Sequence, residues 1–313
     1  MSRATVIIPT HNHGRLLLSA VRSVLRQTMQ DFEIFIIGDG VTKETKEAVE
    51  EALTLDSRIR FFEHPKSPRT GEPYRHLALR EATGKIACFL SDDDLWFPDH
   101  LEIFSHKLGD NDVIHSLPFA INPDGTVNTS MIDWSVREWV DWTLAGANRV
   151  GLSCVGFTLD FYRSLPHGWR TTPPGRWTDH YMWEQLLTMP GVRAAGTWRF
   201  TVLQFPASTR RDWTLEQKIA ELEAWERKIT KNPDGLRADV QRVLALNFHH
   251  LEIQTIAQAN QLSDQADKIA EQANRQMVDQ TLWNERMKNL PGFARNLLRW
   301  HWRRKGLWPR RNP

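Results

Sequence analysis

The chain has 313 residues, 41% hydrophobic and 25% charged, with 40 Lys and Arg against 38 Asp and Glu. That composition supports one large core or two moderate ones and excludes a disordered, collagenous or disulfide-stapled protein. Cys88 and Cys154 are the only cysteines, too few to staple a fold or build a thiolate zinc site. A reducing compartment, and hence the cytoplasm, is the expected setting. No stretch approaches the roughly 18 uncharged apolar residues of a membrane span, and Met1 to Thr10 has no apolar leader region, so the sequence reads as a soluble or peripheral protein.

From Thr5 to Ser116, short apolar runs alternate with amphipathic stretches, the pattern of βαβ units on a mostly parallel sheet. A buried strand at Thr5 to Ile8 is stopped by Pro9. A helix follows from Arg15 to Gln27, with Leu16, Leu17, Ala20, Val21, Val24 and Leu25 on one face. Further strands are read at Phe32 to Ile37, Ile59 to Glu63 and Ile86 to Leu90, with a helix around Tyr74 to Ala82. The last strand runs directly into Ser91-Asp92-Asp93-Asp94, at the end of the sheet where such folds bind ligands. From Trp134 to Gly196 no single period holds. Thr214 and Gln217 then form a capping box, and the chain is helical to about Leu290 with a break at Asn232-Pro233-Asp234-Gly235. Ala259, Leu262, Ala266, Ile269 and Ala273 keep a 3,4 spacing, either a short seam between two copies of the chain or, as the small Ala knobs favour, a face packed on the α/β domain. Three regions follow: an α/β domain over 1–212, a helical region over 213–290 and a tail over 291–313.

That tail carries Arg295, Arg299, Arg303, Arg304, Lys305, Arg310 and Arg311 with no acid, so the rest of the chain is net negative although the total is +2. Trp300, Trp302, Trp308, Leu297, Leu298 and Leu307 are interleaved with the cations. The mixture suits residues 295–311 to a membrane surface with anionic headgroups, or else to a solvated tail or a helix docked on its own protein. No nucleic-acid module accompanies it, so nucleic acid is not an expected partner.

Asp92-Asp93-Asp94 carries the most chemistry. Three adjacent acids after a buried strand repel one another unless a cation or hydrogen-bond donors compensate them, and hard oxygen ligands at this spacing suit Mg²⁺ or Mn²⁺. An acidic turn capping the next helix at Pro98 has the same sequence.

Val6-Ile-Ile-Pro-Thr-His-Asn-His13, Phe32-Glu-Ile-Phe-Ile-Ile-Gly-Asp-Gly-Val-Thr42 and Cys88-Phe-Leu-Ser-Asp-Asp-Asp-Leu-Trp-Phe-Pro98 follow three predicted strands in order. Together they resemble the family 2 glycosyltransferases over about residues 3 to 110. The resemblance implies the GT-A fold and an inverting transfer of one sugar from a nucleotide-sugar, most simply UDP-linked. The acceptor is a hydroxyl of a saccharide or lipid-linked precursor, in cell-surface polysaccharide or glycolipid synthesis, at the inner face of the cytoplasmic membrane if the tail binds there. It implies that Pro9, Thr10 and Asn12 contact the nucleotide, that Asp39 bonds the base, and that Arg75 reaches the nucleotide, with His76 where the family has Asn. Asp92 and Asp93 then contact the nucleotide-sugar, Asp94 ligates the metal (Mn²⁺ or Mg²⁺) and Asp92 assists it. Trp177-Thr-Asp-His-Tyr-Met-Trp-Glu-Gln-Leu-Leu187 resembles the segment that carries the general base, here Asp179, whose position also suits a helix N-cap.

Two departures bear on this. Phe205-Pro-Ala-Ser-Thr-Arg-Arg211 lacks the His that the resemblance implies to complete the metal or phosphate site, leaving Arg210 or Arg211 as a candidate counter-charge for the diphosphate. There is no Gln-x-x-Arg-Trp motif, which argues against a processive synthase. His249 and His250 are neighbours about 100° apart on a helix and read as partly buried, hydrogen-bonded residues rather than ligands. Gly-x-Gly-x-x-Gly and P-loop motifs are absent, and Ser153 stands in no nucleophile elbow. The competing readings are a sugar nucleotidyltransferase and a catalytically inactive nucleotide-sugar-binding scaffold.

Overall fold

Parallel pairing organises the first half of the chain. The computed structural model describes residues 3–275 and 287–304. Its strands β1 (Ala4–Thr10), β2 (Phe32–Asp39), β3 (Ile59–His64) and β4 (Ile86–Phe89) form the parallel run β3-β2-β1-β4. Val6, Ile7 and Ile8 of β1 are fully buried, as a central strand covered on both faces requires, and each contributes roughly 1.5–3 kcal/mol by leaving water. Helix α1 (Leu16–Leu25) supplies the apolar face expected of it. Helix α2 (Lys43–Leu55) is capped by Thr42 and buries Ala48, Val49 and Ala52. Helix α3 (Glu72–Glu81) follows the third strand.

The second half mixes directions. Strand β5 (Leu95–Trp96) and helix α4 (His100–Lys107) precede β6 (Val113–Ile121), which carries a small hairpin with β7 (Val127–Asn128). Helix α5 (Arg137–Leu144), β8 (Val155–Thr158), α6 (Leu159–Ser164), α7 (Thr178–Leu187) and β9 (Ala194–Gln204) complete the sheet in the order β4-β8-β6-β9-β5. Strand β8 runs antiparallel to both β4 and β6, while β6 and β9 are parallel. This is the expected α/β class, its sheet parallel in the first half and mixed in the second. Cys88 and Cys154 are both buried and free, with burial raising both thiol pKa values.

Helices α8 (Leu215–Lys231) and α9 (Pro233–Arg275) are separated at Asn232, and the Thr214–Gln217 capping box is present. The chain forms two compact units, Met1–Leu244 and Ala245–Pro313. In the first, Leu222, Ile229, Val240 and Leu244 join a second core with Phe97, Phe119, Leu203 and Phe205. Glu226 of α8 also accepts from Ser19 at 2.7 Å, Arg22 Nε at 2.7 Å and Arg26 at 2.5 Å, tying α8 to α1.

In the second unit, helix α10 (Gly292–Arg304) meets the small-residue stripe of α9. Ala259, Leu262, Ala266 and Ile269 face Ala294, Leu297 and Leu298 across an apolar cavity of about 240 Å³, and His301 bonds Asp267 at 2.8 Å. Within this unit the stripe therefore faces α10. His249 and His250 are exposed rather than partly buried, within reach of Glu252 and Gln254 one turn on. The side chains of Ala273, Arg299, Trp302 and Arg303, and residues Lys305, Leu307, Trp308, Arg310 and Arg311 of the tail, lie outside the described residues.

Candidate active site

Strand order reverses between β1 and β4, the point where open α/β sheets leave a crevice at their carboxyl ends. The β1–β4 ladder stops at Ile7 and Phe89, whereas β1 stays paired with β2 as far as Thr10. The Ile7 carbonyl accepts from Leu90 N at 3.0 Å, so Pro9, two residues on, faces the side where the ladder has already ended and its missing N–H costs nothing. Pro9 is half-buried, Thr10 buried and Asn12 exposed.

At the end of β2, Asp39 is buried. Its Oδ1 accepts from Ser67 N at 2.5 Å, and its Oδ2 from Lys66 Nζ at 2.6 Å and Ser67 Oγ at 3.1 Å. The carboxylate pins the loop that leads into α3. Gly71 closes that loop at φ 76°, where a Cβ would stand 3.1 Å from Asp39 Cβ, so both the left-handed turn and the close approach require glycine.

Arg75 projects from α3 into the protein at 4% exposure. Its Nη2 donates to the Thr70 carbonyl at 2.7 Å, and its guanidinium lies 4.8 Å from the centre of the Trp169 ring. Burial pushes its pKa down to about 10, opposed by the charges of Glu72, Asp179, Asp39 and Asp92. The acids from three separate segments thus converge electrostatically on one buried cation.

The acidic triplet divides its work. Asp92 is 5% exposed; its Oδ1 lies 2.7 Å from His13 Nδ1, and its Oδ2 is buried with no hydrogen-bond partner. The Asp92 charge and that hydrogen bond raise the His13 pKa to about 9. Asp93 is half-buried and raised to about 6, by burial and then by Asp92. Asp94 turns elsewhere: Ser153 Oγ donates to its Oδ2 at 2.5 Å and Phe205 N to its Oδ1 at 3.2 Å. Burial and then Asp93 raise its pKa to about 8. Among the described residues, the group whose ligand atoms lie within 4.8 Å of one another is His13, Asp92 and Asp93. His13 comes from the loop after β1, inside the quoted motif, and its histidine identity was the signal that sequence reasoning passed over.

Asp179 occupies the first turn of α7, with Trp177 rather than Asp179 in the cap position. Its Oδ1 accepts from His180 N at 2.9 Å and Asn148 Nδ2 at 3.0 Å. Burial raises its pKa, and these hydrogen bonds and Arg75 hold the rise back. Arg210, a candidate counter-charge in the sequence, is 2% exposed. Its Nε and Nη2 meet Glu221 at 2.5 and 2.6 Å, which makes it an anchor for α8. Arg211 is exposed.

Thr10 Oγ1, His11 Nδ1, Arg75 Nε and Asp92 Oδ2 are all buried without partners at this end of the sheet. Each such atom costs roughly 1–3 kcal/mol, a cost sustained where a polar ligand supplies the missing bonds.

Fold and site together define an α/β protein with buried acids and a buried arginine around the switch point of the parallel half of its sheet. Residues 5–158 match the model of Glycosyl transferase family 2. An uncharacterized glycosyltransferase of Rickettsia felis is 37% identical over 115 residues, covering 37% of this chain and 19% of that protein. The chain therefore spans less than a fifth of the length of that relative. The GalNAc(5)-diNAcBac-PP-undecaprenol beta-1,3-glucosyltransferase of Campylobacter jejuni is 32% identical over 94 residues, 30% of each chain. The UDP-Glc:alpha-D-GlcNAc-diphosphoundecaprenol beta-1,3-glucosyltransferase WfgD of Escherichia coli is 29% identical over 194 residues, 61% of this chain and 72% of that one.

Proposed function

We propose that this protein is an inverting glycosyltransferase that moves one sugar from a UDP-sugar to a hydroxyl of a lipid-linked saccharide, in bacterial cell-surface polysaccharide or glycolipid synthesis. The observation that carries the reading is the group of buried polar atoms without partners at the carboxyl end of the sheet, Thr10 Oγ1, His11 Nδ1, Arg75 Nε and Asp92 Oδ2. The donor and acceptor classes are those in the name of the Escherichia coli relative.

In this reading Thr10, with Pro9 and Asn12 on the same loop, borders the nucleotide, and Asp39 receives the base, exchanging its Lys66 and Ser67 contacts for it. Arg75 offers Nε to the diphosphate in a site dry enough for one hydrogen bond to count. The residues fit a divalent cation, Mn²⁺ or Mg²⁺, because Asp92 Oδ2 is a buried anionic oxygen without a partner and Asp93 stands beside it. Such an ion supplies charge stabilisation to the leaving diphosphate. Asp179 is the general base. The acceptor oxygen forms its bond to the anomeric carbon while the bond from that carbon to the diphosphate oxygen breaks. The hydroxyl proton passes to Asp179, and the bond's electron pair leaves with the diphosphate. One displacement with no enzyme nucleophile inverts the centre.

The tail is assigned to a membrane surface, where a lipid-linked acceptor is found. Among the described residues no helix is long and apolar enough to cross a membrane.

The test is calorimetric titration of the full chain with UDP, GDP and TDP, with and without Mn²⁺, on wild type and Asp92→Asn. Metal-enhanced binding of UDP, lost in the variant, is expected. A well-folded protein that binds none of the three nucleotides would overturn the reading.

A further inference from the structure

The acidic triplet follows β4, but the structure withdraws one of its members. Both oxygens of Asp94 are already engaged, by Ser153 Oγ and by the backbone N–H of Phe205, and the residue is 6% exposed. A carboxylate used in this way holds the Asp92–Asp94 turn against β9 and the 152–154 turn, and it has no short route to becoming a ligand. The segment after β9 brings no histidine: Phe205 contributes its N–H to Asp94, and Arg210 is spent on Glu221. Asp92 and Asp93 alone would leave a cation with two protein oxygens.

The third donor lies on the opposite side of the crevice. His13 stands in the loop between β1 and α1, with Nδ1 2.7 Å from Asp92 Oδ1, and a ring nitrogen of His13 lies with carboxylate oxygens of Asp92 and Asp93 within 4.8 Å of one another. Two independent observations point to a ligand here. Asp92 Oδ2 is a buried oxygen with no partner in a residue 95% buried. His13 and Asp93 also line one cavity of about 30 Å³, room for a water-sized ligand beside those two side chains. The other charged groups facing that cavity are Lys218 and the mutually neutralised Arg210 and Glu221.

We infer that His13, with Asp92 and Asp93, forms the divalent-metal site of this protein, and that Asp94 is a positioning residue for that site rather than a ligand. The inference rests on the metal-dependent reading above and names its ligand set. A nitrogen ligand among hard oxygens favours a first-row transition ion over Mg²⁺ or Ca²⁺, which prefer all-oxygen shells. Placing that ligand on the loop after β1 also joins the metal site to the loop that carries Thr10.

The experiment is Mn²⁺ binding to the full chain, followed by electron paramagnetic resonance with pulsed detection of nitrogen coupling, in the presence and absence of UDP. Wild type, His13→Ala, Asp93→Asn and Asp94→Asn are compared after thermal melts show which variants are folded. The expected result is one bound Mn²⁺ with imidazole nitrogen coupling in wild type. In His13→Ala the coupling disappears and affinity falls roughly tenfold or more, the scale of loss seen even when a ligand's supporting hydrogen bond is removed. Asp93→Asn weakens binding as well, and Asp94→Asn keeps the nitrogen coupling. Mn²⁺ bound in wild type without nitrogen coupling, or with coupling that survives in His13→Ala, overturns the assignment of His13 and leaves the glycosyltransferase reading standing. Because the wild-type spectrum needs no variant, a failure of His13→Ala to fold does not remove the test. No Mn²⁺ bound by folded wild type, with or without UDP, overturns both.

Discussion

Asp179 is held by contacts that fit a base. Its Oδ1 receives the Asn148 amide and the His180 N–H, a geometry that fixes the carboxylate plane, and burial raises its pKa above the ordinary 3.8. A base must be deprotonated to accept the hydroxyl proton, so the acid limb of kcat/KM should lie above pH 3.8. Arg75 works against the rise; Arg75→Met should therefore move that limb to higher pH as well as weakening donor binding. Asp179→Asn should keep nucleotide-sugar affinity while turnover falls by roughly 10² to 10⁴. Steady-state rates across pH, beside calorimetry with the intact donor, check both, and unchanged turnover in Asp179→Asn would remove it from the role. The triplet was legible in the sequence because strand and acids follow one another locally, whereas Asp179 was read from the resemblance of the Trp177 to Leu187 segment. The separate fates of Asp92 and Asp94 were not, because they are decided by Ser153 and Phe205, 59 and 111 residues away from Asp94. His13 was equally hidden, since its partner Asp92 is 79 residues distant.

Elements tell the same story at longer range. The four parallel strands are apolar runs that announce themselves. Strand β8 has four residues and exists because β4 and β6 flank it, and β9 depends on β6 for its register, so nothing local marks the span from Trp134 to Gly196. Helix α10 shows two faces. Ala294, Leu298 and His301 turn to α9; Leu297 and Trp300 border the same cavity yet are 42% and 60% exposed, and Phe293, on a 4,3 spacing with them, is 64% exposed. Arg304 lies 5.3 Å from the Trp300 ring. An exposed apolar stripe set among arginines is suited to the headgroup layer of an anionic bilayer. The full chain should co-sediment with vesicles rich in anionic lipid, less so as salt rises, and a chain ending at Leu290 should stay in the supernatant. Equal sedimentation of the two, or none of either, would sink the membrane assignment.

For the whole molecule, the site and the core pull stability in opposite directions with pH. His13, raised to about 9, and Asp94 and Asp93, raised to about 8 and 6, bind protons more tightly folded than unfolded, so stability rises as pH falls through these values. His100 and His115 have the reverse sign. His100 is stacked between Trp96 and Phe104 at 3.9 and 4.0 Å and bonded to Thr201 at 2.8 Å, and burial holds its pKa well below 6.5. His115 accepts from Trp134 N at 3.3 Å on Nε2 and faces the Ser116 carbonyl through Nδ1 at 3.2 Å, so its neutral form fits both bonds, and burial lowers its pKa to about 4. These two give stability that is complete above pH 6.5 and lost as pH falls below it, for His115 on the order of 3 kcal/mol by pH 4. In chelator, Tm should therefore climb from pH 9 to about 6.5 and then level or fall toward pH 4. His115→Gln should soften the acid loss, because glutamine keeps an acceptor and a donor without titrating. Mn²⁺ should flatten the alkaline limb by stabilising the site acids in their charged form, so a thermal melt at pH 8 gains from the metal more than one at pH 6. Melts from pH 4 to 9 with and without Mn²⁺ measure this directly, and a Tm that is flat across the alkaline limb in chelator would mean that the site acids are not repelling one another in the folded protein.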